Sequence, residues 1–192
     1  MDFQQKEPII FIIAGRARSG KGTIAKYLHD YYQSIDKKVI SSPYTKYLKK
    51  YIEDITGQEI TDENKPRELL QKISSELIKK KLGKNNFFIN RQLEDLEIYS
   101  YFADVIIIPD VRFKEEIEII KARYKKAISI GVIRPNYKSD LTNEQLQDIT
   151  ETALDSYKEY DFTVINDKSV AELHTNLLVI IDKLKKEGIS NE

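Results

Sequence analysis

The stretch AGRARSGKGT, residues 14–23, carries the residue types that bind phosphate. Within it Gly15–Lys21 fits the pattern G-x-x-x-x-G-K, directly after the apolar run Ile9–Ala14 and before a segment with helical spacing. Glycines let such a loop wrap its N–H groups around phosphate oxygens, the helix start adds positive charge, and the lysine reaches the β- and γ-phosphates. The residues expected to hold phosphate are Gly15, Arg16, Ala17, Arg18, Ser19, Gly20, Lys21, Gly22 and Thr23.

A second polar group follows another buried run, in ADVIIIPDVRFKEEIEII, residues 103–120. Pro109 removes a backbone donor where the strand is expected to reach the carboxyl edge of a sheet, and open α/β sheets bind ligands at that edge. Asp110 could hold magnesium there directly or through water, and Arg112 could clamp a phosphate with two hydrogen bonds. A capping aspartate with a surface arginine is the plainer alternative, but the phosphate loop favours phosphoryl transfer.

Short apolar runs alternate along the chain with segments of helical period, which predicts an α/β fold with both sheet faces covered. A helical stretch is expected between Pro66 and Gly83, and Ser169 with Glu172 forms a capping box before the last helix. The five predicted strands are Ile9 to Ala14, Lys38 to Ser41, Ala103 to Ile108, Ala127 to Ile133 and Phe162 to Asn166.

Composition limits the protein class. The 192 residues suit one domain, and the 31 basic and 31 acidic residues give no reason to expect a nucleic acid partner. The chain has no cysteine, so disulfides and thiolate metal sites are excluded, and no apolar run approaches the ~18 residues of a membrane span. The first residues lack the pattern of a secretory signal, which predicts a cytoplasmic location without membrane partners.

Two sequence signatures resemble one enzyme family. The GKGT pattern is similar to that of nucleoside monophosphate kinases such as adenylate kinase, and GRARSGKGTIAKYL is closer to the deoxynucleoside monophosphate kinase-like family of phages and bacteria. The segment after Pro109 resembles that family's DVRF-x-N-E signature, with Glu115 in place of the amide, whereas Gly22 stands where the family usually has an acidic residue. The resemblance implies a P-loop kinase, a three-layer α/β/α sandwich with a five-stranded parallel sheet of order 2-3-1-4-5.

The same resemblance suggests where an acceptor phosphate would bind. SSPYTKYLKK follows the second strand, where the family lines its monophosphate pocket, which makes Ser42, Tyr44 and Lys46 the candidates. KPRELLQKISSELIKK resembles the family's R-x-L-L-Q stretch, so Arg67 could grip the acceptor phosphate and Gln71 a base edge. Ordinary solvated helix residues are the alternative for both.

Two later segments are expected to complete the site. Arg134 begins a polar stretch where P-loop kinases carry a mobile lid, and it could neutralise charge on the transferred group together with Lys138. Asp148 stands where the family would have a histidine. Asn166 and Asp167 are placed to border the adenine of ATP, although plain turn chemistry would also explain them.

These observations together predict an ATP- and Mg2+-dependent kinase that phosphorylates a nucleoside or deoxynucleoside monophosphate. The expected catalytic residues are Lys21, Asp110, Arg112 and Arg134, with Thr23 and Asp110 binding the metal. We expect a single domain over 1–192, an acceptor-binding insertion at about 42–100, a lid at about 134–155, and a monomer or homodimer. Within this fold, a kinase of phosphomevalonate or dephospho-CoA remains an alternative. Outside the kinases, the alternative is an ATP-dependent switch protein that has no small-molecule acceptor.

Overall fold

A computed structural model describes residues 3–61, 64, 66–135 and 149–189. The strands are β1 (Ile9–Ala14), β2 (Val39–Ser41), β3 (Val105–Val111), β4 (Ala127–Ile133) and β5 (Phe162–Ile165). The α-helices are α1 (Lys21–Ser34), α2 (Thr45–Thr56), α3 (Arg67–Gln71), α4 (Phe87–Tyr99), α5 (Lys114–Arg123), α6 (Ile149–Thr152) and α7 (Val170–Lys186). A π-helical segment, Lys72–Lys81, continues α3.

The five strands form one parallel sheet in the order β2-β3-β1-β4-β5. This confirms the predicted strand order and the α/β class. β1 is the central strand, and every one of its six residues is buried. A strand buried on both faces has to be apolar throughout, which is why its sequence is a continuous apolar run instead of an alternating pattern.

Helices cover both faces of the sheet and make two hydrophobic clusters. Side chains alternate along a strand, so Ile10 and Ile12 of β1 join one cluster, while Phe11 and Ile13 join the other. The first cluster includes residues of α2, α4 and α5, and the second includes residues of α1 and α7. The predicted three-layer α/β/α arrangement is therefore confirmed.

β3 is longer than the sequence indicated and carries an irregularity at its carboxyl end. Its register with β1 runs regularly to the pair of Ile12 and Ile108 and then shifts, since Ala14 pairs with Val111. β3 thus uses one more residue than β1 over this interval, at Pro109 and Asp110. Proline suits a bulge because it has no N–H to lose from the ladder. The bulge lies beside the phosphate loop and sets the position of Asp110.

The helical stretch predicted between Pro66 and Gly83 is present but not uniformly α-helical. Its first turn is α3, and the remainder is π-helical, ending with a hydrogen bond from the N–H of Leu82 to the carbonyl of Leu77. π-Helical turns are rare in proteins as a whole, but those that occur often lie at functional sites. In the part of the chain that is described, no helix has the length and apolar character needed to cross a membrane.

Candidate active site

The loop that joins β1 to α1 depends on two glycines with positive φ. Gly15 has φ of +144°, and a Cβ there would lie 2.5 Å from the carbonyl oxygen of Val132 on β4. Gly20 has φ of +106°, and a Cβ there would collide with the side-chain amide of Asn166. Gly15 therefore excludes larger residues for steric as well as conformational reasons, whereas at Gly20 the positive φ is the main restriction, since the Asn166 side chain can move. α1 begins at Lys21, so its positive N-terminal end points into this loop.

Two side chains hold the loop, one from its own motif and one from the residue after β5. Lys21 is buried, and its Nζ donates to the carbonyl oxygens of Gly15 at 2.8 Å and Arg16 at 2.7 Å. Asn166 donates from Nδ2 to the carbonyl of Ser19 at 2.8 Å. These bonds place the lysine ammonium inside the curve of the loop, where it would meet phosphate.

Arg112 reaches the same loop from the end of β3. Its Nη1 lies 3.2 Å from the Gly15 carbonyl oxygen and 2.9 Å from Oε2 of Glu151. The same Glu151 oxygen accepts a hydrogen bond from the N–H of Ala17 at 2.6 Å. The phosphate loop is linked to the segment that contains Glu151 a second time, by the ion pair of Arg16 with Asp155. In this pair Nε of the arginine donates to Oδ1 of the aspartate at 2.9 Å.

Asp110 precedes Arg112 by two residues and fixes the start of α2. Its Oδ1 accepts from the N–H of Tyr44 at 2.8 Å, and its Oδ2 accepts from the N–H and the hydroxyl of Thr45 at 3.0 and 2.8 Å. The carboxylate also lines a cavity that contains Lys21. A single carboxylate beside a phosphate site fits the way Mg2+ is usually held, through one or two carboxylates together with substrate phosphates.

Two cavities meet at the phosphate loop. The strand-side cavity, of about 510 Å³, lies between the loop, the carboxyl end of β4 and a later segment that contributes Leu154, Asp155, Tyr157, Lys158 and Tyr160. The helix-side cavity, of about 350 Å³, lies between the loop, α2, the α3 and π-helical stretch, and the end of β3. Four residues line both cavities: Ala17, Arg112, Thr150 and Glu151.

Most of the residues singled out from the sequence line one of these cavities. The strand-side cavity is bordered by Gly15, Arg16, Ala17, Ser19, Arg112 and Arg134, and the helix-side cavity by Ala17, Arg18, Lys21, Tyr44, Gln71, Asp110 and Arg112. Arg134 is exposed and donates from Nη1 to the Arg18 carbonyl at 3.3 Å. Asn166 contacts the loop through Ser19, as described above, and lines neither cavity.

Ser42 and Lys46 lie apart from the rest of the predicted acceptor site. The ammonium of Lys46 pairs with Asp95 on α4 and donates to the Ser42 hydroxyl at 2.9 Å, and neither residue lines the helix-side cavity. Buried Gln92 also donates to the Ser42 hydroxyl, at 2.8 Å. These bonds link Lys46 of α2, and Ser42 just before that helix, to polar side chains of α4 that the local sequence does not show as partners. The role of the two residues at the acceptor stays a prediction.

A few predicted residues lie elsewhere. Thr23 and Asp167 are exposed and line neither cavity. Arg67 is the first residue of α3, and its side chain lies outside what the structure describes. Lys138 and Asp148 also fall outside the described residues.

Glu116 lines the helix-side cavity and was not singled out from the sequence. It is only 7% exposed, and its Oε2 accepts from the N–H groups of Arg112 at 2.8 Å and Phe113 at 3.1 Å. Burial raises the pKa of its carboxyl group to about 7, against the lowering effect of these two hydrogen bonds. The sequence did contain a signal for this residue, because Glu116 occupies the final position of the DVRF-x-N-E signature.

Glu151 is the second functional residue that the sequence did not reveal. It lies in TETALDSY, a stretch with no local feature that marks one carboxylate above the others. Its partners, Ala17 and Arg112, are 134 and 39 residues away in the chain. Only the folded structure brings them together.

The sequence is similar to one described kinase family and one viral protein. The sequence model of a family described as deoxynucleotide monophosphate kinase matches residues 45–177, a range that begins after the phosphate loop. A protein of Acanthamoeba polyphaga mimivirus that carries the name "Putative deoxynucleotide monophosphate kinase" is 30% identical over 195 residues. The alignment covers 91% of this chain and 96% of the viral protein.

The fold is similar to those of solved small-molecule kinases. A structure of the Mycobacterium tuberculosis APS kinase in complex with AMPPNP and APS matches with a TM-score of 0.58 and 9% identity, covering 92% of this chain and 99% of that one. The dephospho-CoA kinase from Campylobacter jejuni matches with a TM-score of 0.53 and 18% identity, covering 94% and 99%. At these identities the likeness concerns the fold alone.

Proposed function

The chain belongs to the deoxynucleotide monophosphate kinase family, and from that membership we propose that it transfers the γ-phosphoryl group of ATP to a deoxynucleoside monophosphate, giving the diphosphate and ADP. The observation that carries this proposal is the meeting of two cavities at Ala17, Arg112, Thr150 and Glu151. Phosphoryl transfer needs donor and acceptor in line across one point, and the junction of the cavities supplies such a point.

On the donor side, the residues of the phosphate loop would bind the ATP phosphates. Lys21 would stabilise charge that develops between the β- and γ-phosphates, and α1 would add the partial positive charge of its first turn. Arg134, which lines the strand-side cavity, would offset charge on the transferred group. Asn166 supports the loop through Ser19, and Asn166 and Asp167 would border the adenine.

On the acceptor side, the helix-side cavity would take the monophosphate. Arg112 would hold its phosphate, and Arg67 would assist from the start of α3. Gln71 and Tyr44 line the same cavity and would contact the nucleoside. Ser42 and Lys46 keep their proposed role in binding the acceptor, from a position in which they bond to each other and to α4.

A magnesium ion would belong with Asp110 and the nucleotide phosphates. Bound there, it would neutralise phosphate charge and orient the phosphates for in-line transfer. Asp110 would hold it directly or through water, since its Oδ1 accepts only one hydrogen bond from the start of α2 and keeps a lone pair. Thr23 would bind the same magnesium ion through its hydroxyl group. Because its side chain is exposed in this structure, it would have to move when the nucleotide binds.

The domain organisation is part of the same proposal. Residues of about 42–100 would form the acceptor-binding insertion, which in the described structure contains α2, α3, the π-helical segment and α4. Residues of about 134–155 would form the lid over the transferred phosphoryl group.

The test is ADP release across a panel of ribo- and deoxynucleoside monophosphates, with dephospho-CoA and phosphomevalonate alongside. The proposal expects ADP release only when a deoxynucleoside monophosphate is present. Release with dephospho-CoA or phosphomevalonate alone would name a different kinase. Slow ATP hydrolysis that no small acceptor accelerates would favour an ATP-driven switch instead.

A further inference from the structure

Glu151 connects the phosphate loop to Arg112 through one carboxylate oxygen. Oε2 accepts from the N–H of Ala17 at 2.6 Å and from Nη1 of Arg112 at 2.9 Å, and the glutamate side chain is only 10% exposed. A carboxylate that is so far removed from water and ion-paired to a guanidinium is held in one place, because either partner would be left with an unpaired buried charge if it moved.

The hydrogen bonds that the Arg112 side chain makes with the described part of the chain all lie on one nitrogen. Nη1 donates to Glu151, to the Gly15 carbonyl at 3.2 Å and, more weakly, to the Thr150 carbonyl at 3.5 Å. Among the residues that the structure describes, none accepts from Nε or Nη2 of this arginine. Nε and Nη2 together form the edge with which arginine binds carboxylate or phosphate by two parallel bonds.

We propose that Glu151 is a positioning residue, which holds Arg112 by Nη1 so that its Nε and Nη2 edge is available to a phosphate at the junction of the two cavities. This proposal rests on the proposed function, since it assigns Arg112 to the transferred or accepting phosphate. Glu151 acts through the arginine and needs no contact with substrate. Its charge is balanced by the guanidinium, so the carboxylate does not add a net repulsion for the incoming phosphate.

The competing explanation is that Glu151 occupies the place of a phosphate in the unliganded protein. A carboxylate that blocked the site would have to leave before nucleotide could bind. Its replacement by glutamine would then strengthen nucleotide binding. A positioning residue instead leaves nucleotide affinity nearly unchanged and lowers turnover, because its loss disorders Arg112 but gives the phosphate loop no new capacity to bind phosphate.

The first experiment measures steady-state kinetics and calorimetric binding for Glu151→Gln. We expect kcat with a deoxynucleoside monophosphate to fall on the order of 10²-fold, the scale of a reactant misplaced by about 1 Å, while the Kd of a non-hydrolysable ATP analogue changes less than about threefold. Glu159→Gln is the matched control, since it removes the same charge from an exposed residue that lines neither cavity. Tighter binding of the ATP analogue, or an unchanged kcat, would overturn the proposal.

The second experiment is a double-mutant cycle with Arg112→Met. If Glu151 acts through the arginine, Glu151→Gln should lower kcat by less than about threefold in the Arg112→Met background, because the group that it positions is gone. A full 10²-fold loss in that background would show an independent role and contradict the proposal. A thermal melt of each variant separates these effects from unfolding.

A third readout keeps the proposal testable if no monophosphate proves to be a substrate. The guanidinium N–H signals of Arg112 are assigned in 15N-edited NMR spectra of the unliganded protein by their loss in Arg112→Met. Hindered rotation should give separate Nη1 and Nη2 signals in the unmodified protein and averaged signals in Glu151→Gln. Averaged signals in both proteins would show that Glu151 does not hold the arginine, whereas an inactive protein with separate signals would contradict only the proposed kinase activity.

Discussion

Asp110 illustrates how one side chain serves the fold and the site together. It anchors the first residues of α2 with three hydrogen bonds, and it lies beside Lys21 and Arg112 in the same cavity. The bulge at Pro109 is what brings it there. A change at Asp110 would therefore alter the acceptor side of the site even before any metal is considered.

Lys21 gives the most direct test of the phosphate loop. Lys21→Ala should lower kcat roughly 10²–10³-fold, the usual loss for one preorganised electrostatic donor. The measurement is the rate of ADP release, with a thermal melt to verify folding, because the substitution also removes the bonds to the Gly15 and Arg16 carbonyls. Lys26→Ala is the control, an exposed lysine of the same helix paired with Asp30. Normal turnover in folded Lys21→Ala would exclude the proposed role of the loop.

The buried carboxyl of Glu116 should make stability depend on pH. Burial raises its pKa from 4.5 to about 7, so the folded protein binds this proton more tightly than the unfolded chain does. The resulting stabilisation is complete below pH 4.5 and is lost as the pH rises through about 7. Between pH 5 and pH 8 the contribution should fall by about 2–3 kcal/mol, since each pKa unit is worth about 1.4 kcal/mol.

Urea unfolding at pH 5 and pH 8 measures this contribution. Glu116→Gln cannot titrate, so its free energy of unfolding should lack this decrease with pH. Glu115→Gln, an exposed neighbour, should keep it. Identical pH profiles for the unmodified protein and Glu116→Gln would contradict the raised pKa.

Among the structural elements, those that depend on a local sequence pattern were predicted correctly. The strands of the central sheet are continuous apolar runs, and the phosphate loop has its glycines at fixed spacing, so both were correct within a few residues. The bulge in β3 and the π-helical segment were not predicted, because each depends on packing against another element. The contacts of Ser42 and Lys46 with α4 were not predicted either, since their partners lie about 50 residues away in the chain.

The N-terminus of α7 offers a test confined to one element. The Ser169 hydroxyl accepts from the N–H of Glu172 at 3.2 Å, as the capping box predicted, and the glutamate side chain pairs with Lys168. Ser169→Ala should lower the free energy of unfolding by about 1 kcal/mol and leave kcat unchanged, because α7 lines neither cavity. Urea unfolding measures the change, and Ser34→Ala at the end of α1 serves as the control, with a smaller loss expected.

For the whole molecule, ligand binding should appear as added thermal stability. A ligand present at 100 times its Kd adds about 2.7 kcal/mol, and each kcal/mol raises the Tm of a chain of this size by roughly 2–4 °C. A non-hydrolysable ATP analogue should therefore raise Tm by roughly 5–11 °C under that condition, and a deoxynucleoside monophosphate should do so separately. Dephospho-CoA at the same concentration is the control. If dephospho-CoA raised Tm and no nucleoside monophosphate did, the acceptor cavity would be a dephospho-CoA site and not a nucleotide monophosphate site.

The position of β1 in the middle of the sheet also determines when the protein can first bind nucleotide. β1 is made before its two neighbours, β3 and β4, and the loop after it packs against Val132. At roughly 5–20 residues per second, a ribosome needs on the order of ten seconds to reach the end of β4 after it completes β1. A chain released before that point would carry the glycine-rich sequence without its loop conformation, and its most apolar strand would be open to aggregation or to chaperones throughout the wait.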